Sequence, residues 1–310
     1  LDTLAVLLTE PQAVALRRVA LAEPSEADVV VDVAWSGIST GTEKLLWSGR
    51  MPPFPGLGYP LVPGYESVGT VREAGPTSGR RVGEQVFIPG SRGFRDVRGL
   101  FGGAARRLVA PGARVTPVPA ELGADAILLA LAATAHHAIA GHLPSLIIGH
   151  GVLGRLLARL TVALGGAPPT VWESNPERAK GAMGYQVCAA EDDPRSDHPA
   201  ICDASGDAAL LDTLIARLAH GGEITLAGFY ADRLSFAFPA AFMREARFRI
   251  AAEWRPSDMR AVTDMAADGR LDLTGLLTHR EPAGQAEQAY RTAFEDSQCL
   301  KMVLDWRTTE

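Results

Sequence analysis

Cysteine is scarce in this chain of 310 residues: Cys188, Cys202 and Cys299 are the only three, and the first 187 residues hold none. No disulfide framework and no C-x-x-C metal site can be assembled from thiols so isolated. Each lies in an apolar, strand-like run, where cysteine serves as a small buried hydrophobe. Positive charge is also in deficit. The formal net charge of −6 argues against nonspecific nucleic-acid binding. The longest nearly apolar run, Ala126 to Ala135, is well short of the roughly 18 residues of a membrane span. Leu1-Asp2-Thr3-Leu4-Ala5-Val6 lacks the basic flank of a signal peptide. These absences lead us to expect a cytoplasmic protein without a membrane span.

What is present is an ordinary globular composition, 47% hydrophobic and 21% charged, in a chain long enough for two domains. The stretch that organises it is Leu146-Ile147-Ile148-Gly149-His150-Gly151-Val152-Leu153-Gly154. A short apolar run reads as a buried strand, the glycines give G-x-G-x-x-G, and Arg155 to Leu164 has helical composition before Gly165-Gly166. In that order, Gly149 permits a tight turn and Gly151 lets backbone approach a pyrophosphate. Gly154 lets helix close on strand, and the free N–H groups of Val152 and Leu153 face the anion. A second strand, Thr170-Val171-Trp172, ends at Glu173, 19 residues after Gly154. That matches the expected spacing of the acid that holds the adenosine ribose. A carboxylate there accepts hydrogen bonds from a 2′-hydroxyl and repels a 2′-phosphate, so the expected cofactor is NAD. His150, inside the turn, is expected to contribute backbone rather than imidazole.

Along the chain, residues 1–120 read as β-rich. Leu4–Leu8, Val14–Val19, Asp28–Ala34, Ser67–Val71 and Glu84–Ile88 are strand-like, with glycine and proline between them. Asp125 to Ala140 reads as a long helix, and a further helix is expected to start near Pro176, capped by Asn175. Strand-like runs at Gln186–Cys188, Ala200–Ala204, Glu223–Gly228 and Phe248–Glu253 alternate with helices such as Asp207 to Leu218. Alternation of this kind specifies a doubly wound parallel sheet. The tail from residue 276 is too short for a new domain and is expected to complete the first. The expected division is 1–120 with 276–310, and 121–275: an α/β protein with a β-rich domain and a Rossmann domain.

Pro63-Gly64-Tyr65-Glu66 with Val68-Gly69-Thr70-Val71, and Gly83-Glu84-Gln85-Val86, resemble the G-H-E and G-D-x-V segments of the medium-chain dehydrogenase/reductase superfamily. The resemblance covers essentially the whole chain and implies a GroES-like catalytic domain beside the nucleotide-binding one. Ser36–Leu45, Trp47–Gly49, Met51–Gly56, Gly58–Glu66 and Arg98–Ala105 are similar, more narrowly, to the branch of that superfamily that acts on chlorophyllide-type tetrapyrroles. That similarity implies oxidation of a 3-(1-hydroxyethyl) group to 3-acetyl in bacteriochlorophyll a synthesis.

Zinc-dependent members bind the metal through a cysteine and the histidine of G-H-E. Here Ser39 and Tyr65 stand at or near those places, and both are poor zinc ligands. We therefore expect no metal, and a proton acceptor is needed in its stead. The resemblance implies Thr42 as the relay hydroxyl, with Tyr65 at the reaction centre and Glu66 beside it; a bracing role for Glu66 is the plain alternative. It also implies Thr134 as a nicotinamide contact. Of His136 and His137, at most one is expected to face the cleft. Trp47, Met51, Phe54, Leu57 and Tyr59 line an apolar cleft on one reading and pack on the barrel on the other. One of Arg92, Arg95, Arg98, Arg106 and Arg107 could pair with a substrate propionate, against the plainer reading of a solvated charge run. The rival functions are a zinc-independent NADPH quinone or enone reductase and a non-catalytic NAD- or pigment-binding protein. The oligomer is expected to be a monomer or homodimer, with transient membrane-surface contact open.

Overall fold

Three consecutive valines, Val29, Val30 and Val31, open the strand Asp28–Ile38, around which the first of two compact units is built. The computed structural model describes Leu1–Thr309. Its first unit comprises Leu1–Ala130 and the tail from Thr274, and its second is Leu131–Leu273. β-Branched residues suit a strand buried on both faces. Asp28–Ile38 pairs antiparallel with Ser67–Ala74 along one edge. Its other edge takes Arg107–Pro111 at the start and Met302–Asp305 at the end. Among the described residues this forms a seven-stranded sheet, beside a four-stranded sheet led by Asp2–Glu10 and Ala13–Ala20. One apolar core, including Val6, Leu8, Val31, Ile88, Leu108, Tyr290 and Trp306, fills the unit.

The second unit holds, among the described residues, a six-stranded sheet. Its spatial order is Gln186–Cys188, Thr170–Trp172, Leu146–Ile148, His198–Asp203, Leu218–Leu226, Arg247–Ile250, and every pairing is parallel. Sequential strands run outward from Leu146–Ile148 in one direction and then the other. The order reverses beside that first strand, where doubly wound sheets bind their ligands.

The reading of residues 125–140 as one long helix is corrected. α-Helix begins only at Leu129 and ends at Ile139. The preceding Ala120–Leu128 is tighter 3₁₀ helix, broken at Gly123 with φ 52°. That segment packs against Asp28–Ile38, Ser67–Ala74 and Gln85–Ile88, so residues up to Ala130 join the first unit rather than the second. Ala120–Ile139 is apolar enough for a span by composition, at mean hydropathy 1.4, yet 61% of its most apolar window is buried inside the protein. The helix expected near Pro176 forms as a single turn, Pro176–Ala179, with the Asn175 side chain accepting from Glu177 N–H at 2.9 Å. Arg155 takes the carbonyls of Arg178, Lys180 and Gly181 that a longer helix would need for itself.

The tail is bonded into the first unit. Trp306 is 1% exposed, donates Nε1 to Ser36 Oγ at 2.8 Å, and gives its backbone N–H to the Ala34 carbonyl. Trp306→Ala should cost about 3–5 kcal/mol of unfolding free energy, read from the denaturant midpoint; a loss under about 1 kcal/mol would mean the tail is not part of the cooperative core.

Candidate active site

The strand Asp28–Ile38 ends in a turn that carries Ser39 and feeds the helix Thr42–Ser48, whose first residue is Thr42. Tyr65 enters from the segment before Ser67–Ala74, and its hydroxyl donates to Ser39 Oγ at 2.8 Å. Thr42 is near enough to lower the pKa of the same phenol. Three hydroxyls thus meet where the zinc-dependent pattern would put a thiolate and an imidazole. The Tyr65 ring stands edge-on to Phe101, with centroids 5.4 Å apart. Burial pushes the Tyr65 phenol well above its ordinary range, and the neighbouring Glu66 charge adds to the shift. A free tyrosinate is therefore disfavoured, but a phenol passing one proton on as it takes another is not.

Two carboxylates back these hydroxyls, each held by a residue of the returning tail. Glu66, expected among the catalytic groups, is fully buried and ion-paired with Lys301, itself 1% exposed. Burial raises its pKa and the Lys301 ammonium opposes the rise. Its ion pair with Lys301 is the arrangement the bracing alternative calls for. Glu43, also fully buried, accepts from Tyr290 Oη at 2.6 Å and from the Ser39 backbone N–H at 3.0 Å. It thereby fixes the turn that presents Ser39. Burial pushes the Glu43 carboxyl up to about 7, against the lowering effect of its two hydrogen bonds. Sequence reading missed Glu43, Lys301 and Tyr290 as site residues. Tyr290 stands 247 positions from its partner Glu43, and no local pattern marks such a pairing.

In the second unit the glycine turn has the form its spacing implies. Gly149 has φ 91°, a left-handed conformation that favours glycine. A Cβ on Gly154 would collide with the Gly149 carbonyl oxygen, whereas one on Gly151 would meet nothing within 4 Å. The helix Val152–Ala163 starts at Gly151 without a side-chain cap, and its first backbone bond runs from Arg155 N–H to the Gly151 carbonyl. The N–H groups of Val152, Leu153 and Gly154 are thus the ones a bound pyrophosphate would take. Glu173 follows Thr170–Trp172, one oxygen accepting from His150 N–H at 3.0 Å and the other from Asn175 N–H at 2.8 Å. Lone pairs remain on both oxygens for a ribose diol. The residues present fit a dinucleotide.

Against this geometry, the comparisons with known proteins agree. Residues 25–120 match the alcohol dehydrogenase GroES-like domain. The chain is 56% identical over 99% of both chains to 2-desacetyl-2-hydroxyethyl bacteriochlorophyllide A dehydrogenase from Rhodobacter capsulatus. It is 55% identical over 99% of both chains to the enzyme of that name from Cereibacter sphaeroides. The chain belongs to that dehydrogenase family. It is accordingly an oxidoreductase acting on CH–OH groups. A likeness of fold extends to L-idonate 5-dehydrogenase from Escherichia coli, with a TM-score of 0.87 at 20% identity over 99% of each chain.

The other residues singled out from the sequence of this family member are placed as follows. His136 and His137 both bond Asp258, Nδ1 to one oxygen at 2.8 Å and Nδ1 to the other at 3.0 Å. Successive helical side chains diverge by about 100°, and the two carboxylate oxygens bridge that gap. Burial alone would raise Asp258, but the Arg255 N–H and His136 hold it below its ordinary range. Thr134 lies half-buried on the same helix, Leu129–Ile139. The loop aromatics follow the barrel-packing reading: Met51 is buried, and Trp47, Leu57 and Tyr59 pack against the first core. Phe54 stays exposed. Arg107 is spent on Asp32 at 2.6 Å and Arg98 reaches the Tyr59 carbonyl, while Arg92, Arg95 and Arg106 are exposed.

Glu43 gives a pH signature. Its carboxyl is raised from 4.5 to about 7 in the folded state, so the folded protein binds the extra proton between those values. Stability is then lost as pH rises through that window, by up to about 3 kcal/mol. Glu43→Gln should remove that loss, so its unfolding free energy should gain on the wild type between pH 5 and pH 8; parallel pH curves would show that Glu43 titrates normally.

Proposed function

We propose that this dehydrogenase oxidises the 3-(1-hydroxyethyl) group of a bacteriochlorophyllide to 3-acetyl in bacteriochlorophyll a synthesis, using NAD and no catalytic zinc. The substrate class rests on the two relatives that are more than half identical over nearly the whole chain. The single observation that carries the mechanism is the hydroxyl cluster of Ser39, Thr42 and Tyr65. Hydroxyls so arranged bond to one another and make a poor set of zinc donors. Among the described residues, no group of three or more His, Cys, Asp or Glu side chains could hold a metal ion.

NAD, when bound, accepts the hydride from the carbinol carbon. The chain's own residues handle the proton. As the alcohol oxygen loses its proton, the Tyr65 oxygen takes it while the Tyr65 proton passes to Ser39 or Thr42, so no free tyrosinate forms. Thr42 is half-buried on the first turn of its helix, beside the exposed Thr40 and Gly41, and it delivers the proton to water. Glu43 and Lys301–Glu66 keep these hydroxyls in register. Val152, Leu153 and Gly154 N–H groups hold the pyrophosphate and Glu173 the ribose, with Thr134 beside the nicotinamide. The three free cysteines suit a reducing cytoplasm.

The decisive experiment incubates metal-stripped protein with 3-hydroxyethyl bacteriochlorophyllide a and NAD or NADP while following the pigment's long-wavelength band. A red shift with NAD, at about tenfold or greater preference over NADP in kcat/KM, is expected. Activity only after added zinc would overturn the metal-free mechanism. A preference for NADPH, with quinones or enones as acceptors, would install the reductase reading. Tyr65→Phe should lower kcat by about 100-fold or more without loss of folding, and a near-wild-type kcat would remove Tyr65 from the relay. Glu173→Ala should weaken NAD binding by about 1–3 kcal/mol, measured by titration; unchanged affinity would end the ribose assignment.

A further inference from the structure

Every polar atom of His150 is engaged. Its backbone N–H donates to Glu173 and its carbonyl accepts from Arg155 Nε at 3.0 Å. The imidazole meets the Arg178 carbonyl through Nδ1 at 2.6 Å and the Tyr185 hydroxyl through Nε2 at 2.8 Å, with the two rings edge-on. A carbonyl can only accept, so Nδ1 carries the proton and Nε2 accepts from Tyr185. Burial holds the imidazole down to about 4, which keeps it in this neutral form at ordinary pH.

We propose that His150, with Tyr185, is a specificity-determining positioning residue: it locks the segment after Glu173 in the form that accepts a ribose 2′-hydroxyl and refuses a 2′-phosphate. The proposal rests on the dinucleotide reading of the same site and deepens it. The locked segment carries Arg178 and Lys180, the cations nearest to Glu173 along the chain. Its carbonyls are held from within by His150 and by the buried guanidinium of Arg155, which takes those of Arg178, Lys180 and Gly181. The Lys180 ammonium is meanwhile paired with Glu177 at 2.8 Å. A 2′-phosphate beside Glu173 needs a cation brought in to offset the carboxylate. With three of its carbonyls held by four hydrogen bonds, the segment is hindered from bringing one in. Untying the imidazole removes one of those four bonds and loosens the segment at Arg178, the nearer cation.

The test measures kcat/KM and equilibrium binding for NAD and NADP in the wild type, His150→Ala, His150→Asn and Tyr185→Phe, with thermal melting of each. The wild-type preference for NAD examines the underlying reading alone, and its absence would overturn that reading before any variant is considered. Given that preference, His150→Ala should reduce the NAD/NADP ratio by roughly tenfold, the worth of two hydrogen bonds. Tyr185→Phe, which loses only one, should reduce it less. His150→Asn can still donate to the Arg178 carbonyl and should recover part of the ratio. A merely structural role would lower the melting temperature, or weaken both dinucleotides equally, and leave the ratio unchanged. That outcome, in Tyr185→Phe as well as in whichever His150 variants fold, would overturn the proposal.

Discussion

The buried pairing of Lys301 with Glu66 sets the terms for the whole first unit. An ammonium and a carboxylate removed from water cost several kcal/mol each unless they meet. They meet only if the tail returns to lie along Asp28–Ile38, as Met302–Asp305 does. The same return brings Tyr290 onto Glu43 and seats Trp306 on Ser36. Two supports of the candidate active site, Tyr290 and Lys301, are therefore supplied by the returning tail. Breaking either carboxylate's partnership would leave a buried charge or acceptor uncompensated in the unit's own core.

That constraint explains how the site can be organised around hydroxyls. A zinc ion would tie its ligands together by coordination. Here Tyr65 and Ser39 are tied by a hydrogen bond with Thr42 beside them, and the turn beneath is held by Glu43 through the Ser39 N–H. The second unit works in a parallel way. Its glycine turn is shaped by close approach at Gly154 and by the left-handed Gly149, and His150 and Arg155 tie that turn to the strand-end loop that follows Glu173. In each unit a buried polar side chain fixes a backbone segment that faces the chemistry. Networks of this kind are rigid when every member is satisfied.

Much of the fold was legible because its signals are local. The run Leu146–Ile148, the three glycines and Glu173 fall in one short window, and each has a geometric reason to be where it is. The strands of the second unit could be read one by one as apolar runs between helical stretches. The failures have equally definite causes. Asp125 to Leu128 has helical composition, but packing against three strands tightened it into 3₁₀ turns and moved it into the first unit. The start of the helix at Asn175 and Pro176 was legible; its length was not, since Arg155, from another helix, takes the Arg178 and Lys180 carbonyls. The histidines His136 and His137 were read as diverging, and they do diverge, onto the two oxygens of one Asp258.

By itself, then, the chain's order of residues determined the dinucleotide turn, the acid at the end of the second strand, the alternation that makes a parallel sheet, and the loss of thiolate and imidazole at the metal positions. These depend on neighbours a few residues apart, whose backbone conformations are coupled directly. The tertiary structure alone decided that Glu66 pairs with Lys301, that Glu43 pairs with Tyr290, and that the His150 ring bonds Arg178 and Tyr185. Those outcomes depend on residues tens to hundreds of positions apart. Burial removes water as an alternative partner, so which polar groups pair is set by which ones the folded chain brings within reach.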